Sequence, residues 1–174
     1  MKIGLLSDTH GYLDPALLDH FADCDEIWHA GDVGDPSVLD RLEAQKPVRG
    51  VSGNIDDTTV RRRLPEDLRF TVNGLSVFMT HIGGYPGRYT ARVKSILQTE
   101  RPDLYICGHS HILKVMMDKS VGTLHMNPGA CGRHGFHRMR TALRFSIDQG
   151  KVTGLEVIEL GLRAAIPPSA PNPE

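Results

Sequence analysis

The stretch Ile3-Gly4-Leu5-Leu6-Ser7-Asp8-Thr9-His10-Gly11 decides the fold, because a short apolar run passes directly into polar residues. Residues 3–7 are typical of a buried strand that ends where the polar residues begin. Asp14 and Pro15 follow, and an aspartate N-cap with proline in the first turn is typical of a helix start. We therefore predict a strand and then a helix that runs to about Ala22.

The same strand-and-helix pattern occurs again further along the chain. We predict strands over 26–29 and 48–51, and Asp35 with Pro36 predicts a helix between them that runs to about Gln45. Strands that alternate with helices through short connections favour a parallel sheet.

A hairpin changes the pattern after the third predicted strand. Asn73-Gly74, a turn sequence typical of two-residue hairpins, separates predicted strands over 68–72 and 75–80. A helix over 89–99 and a strand over 104–107 follow. Four further strands, predicted to be antiparallel members of a second sheet, span 113–117, 123–126, 141–147 and 152–158.

Together these elements predict an α/β fold, in the form of a layered α/β sandwich. Two mixed β-sheets would pack face to face, with helices on the outside. We expect a single domain over residues 1–162. Residues 163–174 are rich in alanine and proline without an apolar period, which predicts a flexible tail.

The composition is that of an ordinary globular protein. Hydrophobic residues make up 40% of the 174 positions and charged residues 24%, which excludes global disorder. The net charge of −1 gives no general attraction to nucleic acid or to an anionic membrane. The run Arg61-Arg62-Arg63 lacks interleaved aromatic residues, so we expect a solvated surface there and no clear nucleic-acid surface.

The cysteines and the N-terminal residues favour a cytoplasmic protein. Three cysteines without a CxxC pair suit a reducing compartment. The apolar run at the start of the chain is too short for a signal peptide or a membrane span. We therefore expect no membrane partner.

Side chains that can bind metal follow five of the predicted strands. Asp8 and His10 are two residues apart, as are His109 and His111, and in an extended chain this spacing places both side chains on one face. The carboxyl ends of strands in an open α/β sheet converge, so distant residues can share one site. The seven candidate ligands are Asp8, His10, Asp32, Asn54, His81, His109 and His111. Seven ligands exceed what one ion takes, but they suit two ions that share a carboxylate.

The motifs SDTHG (7–11), GD (31–32), GN (53–54), TH (80–81) and GHSH (108–111) resemble those of the calcineurin-like metallophosphoesterase superfamily. Within it, the chain is similar to the small YfcE-like phosphodiesterases, which also share the segment Asn127-Pro128-Gly129. The resemblance extends from Met1 to about Leu160. It implies the four-layer sandwich and the hydrolysis of a phosphate ester.

The resemblance also implies a role for each candidate ligand. One metal would be held by Asp8, His10, Asp32 and His111, and the second by Asp32, Asn54, His81 and His109, with Asp32 as the bridge. Of these, Asp32, Asn54 and His81 are the expected catalytic residues. Nitrogen and oxygen ligands without a thiolate suit two divalent ions, with manganese expected first and nickel, iron or zinc as alternatives. We expect a phosphodiesterase in which a hydroxide that bridges the metals attacks phosphorus in line.

The chain departs from the superfamily pattern at Ile55, where many relatives have a histidine near the leaving group. Isoleucine cannot donate a proton, so we expect diesters with good leaving groups to react faster than alkyl monoesters. Asp56 has two interpretations: it orients Asn54 or a water, or it forms a simple turn with Asp57.

Asn54, Arg133 and His137 are the candidates for binding the substrate, because guanidinium groups suit phosphate. The alternative for residues 131–138 is a solvated, glycine-rich loop.

Two other functions stay open beside the phosphodiesterase. One is a non-catalytic protein-binding scaffold of the same fold, as in the retromer subunit that resembles this family, and the other is a phosphomonoesterase. The complete ligand set favours the enzyme over the scaffold. A small phosphate ester is the expected partner, and a homodimer through apolar residues such as Trp28 or Phe136 is left open.

Overall fold

The computed structural model describes residues 1–164, which form twelve strands and four helices. The strands are β1 (Lys2–Leu6), β2 (Glu26–His29), β3 (Val48–Gly50), β4 (Asp67–Val72), β5 (Leu75–Thr80), β6 (Gly84–Tyr85), β7 (Arg88–Tyr89), β8 (Leu104–Ile106), β9 (Leu113–Asp118), β10 (Thr123–Pro128), β11 (Met139–Asp148) and β12 (Lys151–Leu162). The helices are α1 (Pro15–His20), α2 (Pro36–Glu43), α3 (Thr58–Arg63) and α4 (Ala91–Thr99).

The first sheet has the strand order β12-β11-β1-β2-β3. Strands β1, β2 and β3 are parallel, as predicted, whereas β11 is antiparallel to both β1 and β12. The prediction that residues 141–147 and 152–158 belong to the second sheet is therefore wrong. Without β11, the buried strand β1 would leave one row of backbone hydrogen-bonding groups unpaired, and such groups are costly when buried.

The second sheet has the strand order β4-β5-β8-β10-β9. Its three inner strands are parallel, and both edge strands are antiparallel to their neighbours. The predicted hairpin is confirmed between β4 and β5, where Asn73 (φ 46°) and Gly74 (φ 81°) both have the left-handed backbone of a type I′ turn. Strands β6 and β7 form a separate two-stranded hairpin that the sequence did not predict.

Three apolar clusters define the four layers, and they confirm the predicted sandwich. The first packs α1, α2 and α3 on one face of the first sheet, through Leu17, Leu39 and Val60. The second lies between the two sheets and includes Trp28, which is fully buried and is not available to an interface. The third packs α4 on the outer face of the second sheet, where Leu97 meets the Phe78–Tyr105 pair.

The helix starts follow the sequence closely, and the ends are shorter. Asp14 and Asp35 cap α1 and α2 through hydrogen bonds from Ala16 N (3.0 Å) and Ser37 N (2.8 Å). Each of these helices ends two residues before the predicted end. Helix α3 was not predicted, because its six residues bury only Val60 and show no apolar period.

The last predicted segment, the tail over 163–174, lies outside the described residues from position 165 onward. Within residues 1–164, no helix is long and apolar enough to cross a membrane.

Candidate metal centre

The seven candidate ligands follow the carboxyl ends of five strands from both sheets. Asp8 follows β1, Asp32 follows β2, Asn54 follows β3, His81 follows β5, and His109 follows β8. Each sheet therefore contributes to one edge of the sandwich, where the polar loops meet. The carboxylates and His81 are buried, His10 and His111 are half-buried, and Asn54 and His109 are exposed.

The backbone at these positions is unusual. Eight non-glycine residues within 1–164 have positive φ, and five of them are candidate ligands: Asp8 (56°), His10 (46°), Asp32 (55°), His109 (67°) and His111 (58°). The left-handed region is uncommon for side chains with a Cβ, although aspartate and histidine adopt it more often than most residues do. Such a concentration of strained residues at one edge is typical of a functional site.

The first group of side chains consists of Asp8, His10 and His111, whose ligand atoms lie within 4.8 Å of one another. His111 Nε2 is 3.2 Å from Asp8 Oδ1 and 3.4 Å from His10 Nε2. A positive charge or a cation between these atoms would relieve the close approach of two imidazole nitrogens.

The second group consists of Asp32, His81 and His109, again with ligand atoms within 4.8 Å of one another. His81 Nε2 is 3.2 Å from Asp32 Oδ1, and the His81 and His109 rings are 5.3 Å apart. His109 and His111 thus belong to different groups. Both side chains line the same cleft, although their backbone is left-handed and not the extended chain that the spacing argument assumed.

The two groups meet at Asp32, whose carboxylate presents one oxygen to each. Oδ1 faces His81, whereas Oδ2 lies 3.6 Å from His10 Nε2 in the first group. A single carboxylate between two groups of nitrogen ligands is the arrangement that two ions need if they share a ligand.

Two buried atoms test whether this donor set suits cations. Within the described residues, Asp8 Oδ1 and His81 Nε2 have no hydrogen-bond partner, and they lie 3.9 Å apart. The His81 Nδ1–H donates to Ala30 O (2.8 Å), so its Nε2 carries the lone pair that a metal requires. A buried carboxylate oxygen and a buried imidazole lone pair that face each other are costly without a cation, so the donor set fits divalent metal ions.

Charge interactions at the centre oppose the effects of burial. Burial raises the pKa of Asp32, but His81 and the Ile55 N–H outweigh it and hold that pKa below its ordinary value. Burial lowers the pKa of His81, yet the carboxylates of Asp32 and Asp8 raise it above its ordinary value. The centre therefore has a negative potential that favours bound cations.

Neighbouring polar residues hold the ligand loops in place. His29 is fully buried, and its Nε2 forms a hydrogen bond with Thr9 Oγ1 (3.0 Å). The Thr9 hydroxyl donates in turn to Val33 O (2.8 Å). These contacts join the loops after β1 and β2. Asp56 accepts hydrogen bonds from Gly34 N (2.8 Å) and Gly53 N (2.7 Å), which links the loop after Asp32 to the loop that carries Asn54.

Asp56 supports the backbone of the loop that carries Asn54, so its role is close to the first of its two interpretations, with backbone N–H groups as partners instead of the Asn54 side chain or a water. Arg61 adds to this support by donating to Gly53 O (2.7 Å) and Asp56 O (2.8 Å). The three consecutive arginines lie on the surface, as predicted, and Arg61 also has this positioning contact.

A cleft of about 470 Å³ opens over the two groups of ligands. Asn54 and Ile55 line one side, with the Ile55 side chain 44% exposed. His134 and His137 line the cleft as well, with their rings 4.7 Å from His10 and 5.3 Å from His111, respectively.

Two of the three candidate substrate-binding residues line this cleft, and one does not. Asn54 and His137 line the cleft, whereas the Arg133 guanidinium lies over the Tyr12 ring at 4.5 Å and is not part of the lining. Sequence reasoning missed His134, since a lone histidine between arginine and glycine gives no signal of its partner His10.

Comparisons with known proteins agree with this geometry. Residues 1–150 match the family model described as the calcineurin-like phosphoesterase superfamily domain. A protein of Methanothermobacter thermautotrophicus named a probable metallophosphoesterase is 34% identical over 120 residues, which cover 64% of this chain and 67% of the relative.

Solved structures share the fold. The phosphoesterase YfcE from E. coli is 22% identical, with a TM-score of 0.58 over 90% of this chain and 98% of YfcE. Vps29 from Entamoeba histolytica, solved in complex with Zn²⁺, is 17% identical, with a TM-score of 0.70 over 91% of this chain and 99% of Vps29. With the family model, the curated relative and the fold in agreement, this chain belongs to the calcineurin-like phosphoesterase superfamily.

Proposed function

We propose that the protein is a phosphodiesterase that works with two divalent cations, one at each group of ligands. The observation that carries this proposal is the pair of groups joined by Asp32, with the partnerless Asp8 Oδ1 and His81 Nε2 buried between them. Asp8, His10 and His111 would hold one ion, and His81, His109 and Asn54 the other, while Asp32 contributes an oxygen to each. Manganese is the expected metal, with nickel, iron or zinc as alternatives.

The cations would supply Lewis acidity that polarises the phosphate and lowers the pKa of a nucleophilic water. The protein's own residues position the ester. Asn54 presents its amide at the rim of the cleft, and His137 is neutral at pH 7 because burial lowers its pKa. The Asn54 amide can donate a hydrogen bond to a phosphate oxygen without adding fixed charge, whereas the single ring proton of neutral His137 is donated to Gly132 O (3.1 Å).

Ile55 determines which esters react well. Its side chain lines the cleft and its N–H donates to Asp32 Oδ1 (3.1 Å), so it lies beside the reacting phosphate without a group that can give a proton. Hydrolysis forms one P–O bond to water and breaks one to the alcohol, which must leave largely unassisted. Activated diesters are therefore favoured over alkyl monoesters.

Activity after metal removal tests the proposal. Chelator-treated protein should not hydrolyse bis(p-nitrophenyl) phosphate, and added Mn²⁺ should restore hydrolysis at a higher kcat/KM than for p-nitrophenyl phosphate. His81→Gln should abolish the restored activity, while the matched control His20→Gln, on the exposed end of α1, should keep it. Full activity of metal-free protein would contradict the proposal.

The scaffold and the monoesterase are the two competing functions. Metal binding at both groups without hydrolysis of any ester would favour the scaffold. Faster hydrolysis of alkyl monoesters than of aryl diesters would favour the monoesterase. The buried partnerless atoms support bound cations in either case, so hydrolysis by the metal-loaded protein is the result that separates an enzyme from a scaffold.

A further inference from the structure

A second pocket opens beside His109, on the outer face of the second sheet. Its volume is about 310 Å³, and it shares His109, Ser110 and Ile112 with the cleft over the metal ligands. The β6–β7 hairpin forms one wall and the start of β9 the other. The pocket thus lies next to the place where the phosphate of a bound ester would sit.

The deep wall of this pocket contains a histidine without partners. His125 is 1% exposed, and within the described residues neither of its ring nitrogens has a hydrogen-bond partner. Burial lowers the pKa of His125 to about 4, so the ring is neutral at pH 7 and offers one donor and one acceptor. Buried polar atoms without partners are rare, and each one calls for an explanation.

Two tyrosines behind His125 share this property. The Tyr105 and Tyr89 hydroxyls also lack partners, and their rings lie 5.5 Å and 6.3 Å from the His125 ring. Gly83 packs so closely on the Tyr105 hydroxyl that any side chain at position 83 would collide with it. Neither tyrosine belongs to the pocket lining, so His125 alone among these three side chains faces the pocket.

The outer part of the pocket offers a flat aromatic surface. Tyr85 lies in the pocket lining with the Lys114 ammonium over one face of its ring at 4.5 Å, which leaves the other face for stacking, and Ile112, 63% exposed, is part of the same lining. An aromatic face, an aliphatic side chain and a cation at the mouth suit a planar ring. Neutral hydrogen-bonding atoms at the deep end suit a ring that itself carries donors and acceptors.

We propose that this pocket binds a planar heteroaromatic ring of the nucleobase kind, attached to the phosphate through one of the two ester groups of the substrate. The inference rests on the proposed phosphodiesterase function. An alkyl group would leave His125 unpaired, and a second phosphate at the deep end would meet the neutral His125 imidazole, while the lining cation Lys114 lies at the mouth over the Tyr85 ring. The pocket therefore distinguishes nucleoside esters from simple alkyl or aryl esters.

The kinetic test compares two diesters that release the same p-nitrophenol: uridine 5′-(p-nitrophenyl phosphate) and methyl p-nitrophenyl phosphate. For the Mn²⁺-loaded protein, we expect kcat/KM to be at least about tenfold higher for the nucleoside ester, since base–aromatic stacking contributes about 1–3 kcal/mol per base. His125→Leu and Tyr85→Ala should each lower this ratio several-fold. Met117→Ala, an exposed position on β9, should leave the ratio as it is. A wild-type ratio within twofold of one, or a ratio unchanged in both variants, would overturn the inference.

A binding measurement separates this inference from the proposed function. Calorimetric titration of uridine and adenosine into the chelator-treated full chain should show binding that His125→Leu and Tyr85→Ala weaken. Nucleoside binding without hydrolysis of either diester would overturn the proposed function and support the pocket. Hydrolysis of both diesters without nucleoside binding would support the function and overturn the pocket. A thermal midpoint for His125→Leu at or above that of wild type shows that this variant is folded, and Tyr85→Ala, on the surface hairpin, provides the second test.

Discussion

Replacing Asp56 with asparagine should lower both the stability of the protein and its affinity for metal, although no candidate ligand is changed. The Asp56 carboxylate is 5% exposed and accepts hydrogen bonds from Gly34 N (2.8 Å) and Gly53 N (2.7 Å). Asparagine keeps one acceptor oxygen, and its NH₂ group would face the other N–H. One charge-assisted bond is lost, one buried donor is left without an acceptor, and the remaining bond is weakened, so we expect a loss of about 2–4 kcal/mol in the free energy of unfolding.

Metal affinity should fall along with stability, because Asp56 joins the loop after Asp32 to the loop that carries Asn54. Loss of residues that orient metal ligands typically costs about 10–100-fold in affinity. Urea unfolding of the chelator-treated protein measures the first effect, and competition with a fluorescent Mn²⁺ chelator measures the second.

The control for this prediction is the same substitution one residue further on. Asp57 caps α3 by accepting from Thr59 N (2.9 Å) and Val60 N (3.0 Å), and asparagine is an equally good N-cap. Asp57→Asn should therefore change stability by less than about 0.5 kcal/mol and leave Mn²⁺ affinity intact. Equal effects of the two substitutions would refute the reasoning, since it assigns the cost to the link between the loops.

Three further outcomes follow from the structure. Burial lowers the pKa of His29 from its ordinary 6.5 to about 4, so the unfolded chain binds a proton at a higher pH than the folded protein does. Urea unfolding of the metal-free protein should therefore show that wild type loses about 2 kcal/mol more stability than His29→Gln between pH 7 and pH 5. Equal losses would contradict this. Ile55→His should raise kcat/KM for an alkyl phosphate monoester by at least about tenfold, because histidine supplies a proton donor near the leaving group. The gain on an activated diester should be small. An equal change in kcat/KM for both substrates would argue against that role. Gly74→Val should destabilise the β4–β5 hairpin by about 1–2 kcal/mol in thermal or urea unfolding, as Gly74 has a φ of 81°, and an unchanged midpoint would count against the type I′ turn.

The sequence indicates the site well because its chemistry is concentrated at strand ends. Short apolar runs that stop at Asp8, Asp32 and His81 identify both the strands and the polar edge, and parallel topology then brings the ends together. The hairpin at Asn73-Gly74 is equally local, since two residues determine the turn. For these features, neighbouring residues in the chain contain the necessary information.

Other features depend on contacts between distant residues, which the local pattern does not encode. The place of β11 beside β1 is decided by the unpaired edge of that strand, about 140 residues earlier in the chain. The division of His109 and His111 between two groups depends on where the loops after β1, β2 and β5 place the other ligands. The partnerless ring of His125 is recognisable only once Tyr105 and the β6–β7 hairpin surround it.

X-ray diffraction at the manganese absorption edge, from crystals of the Mn²⁺-loaded protein, tests the two-ion centre most directly. We expect two anomalous peaks per chain: one among Asp8, His10 and His111, the other among Asp32, His81 and His109, with Asp32 in contact with both. A single peak, peaks elsewhere in the chain, or no peak under saturating Mn²⁺ would contradict the account.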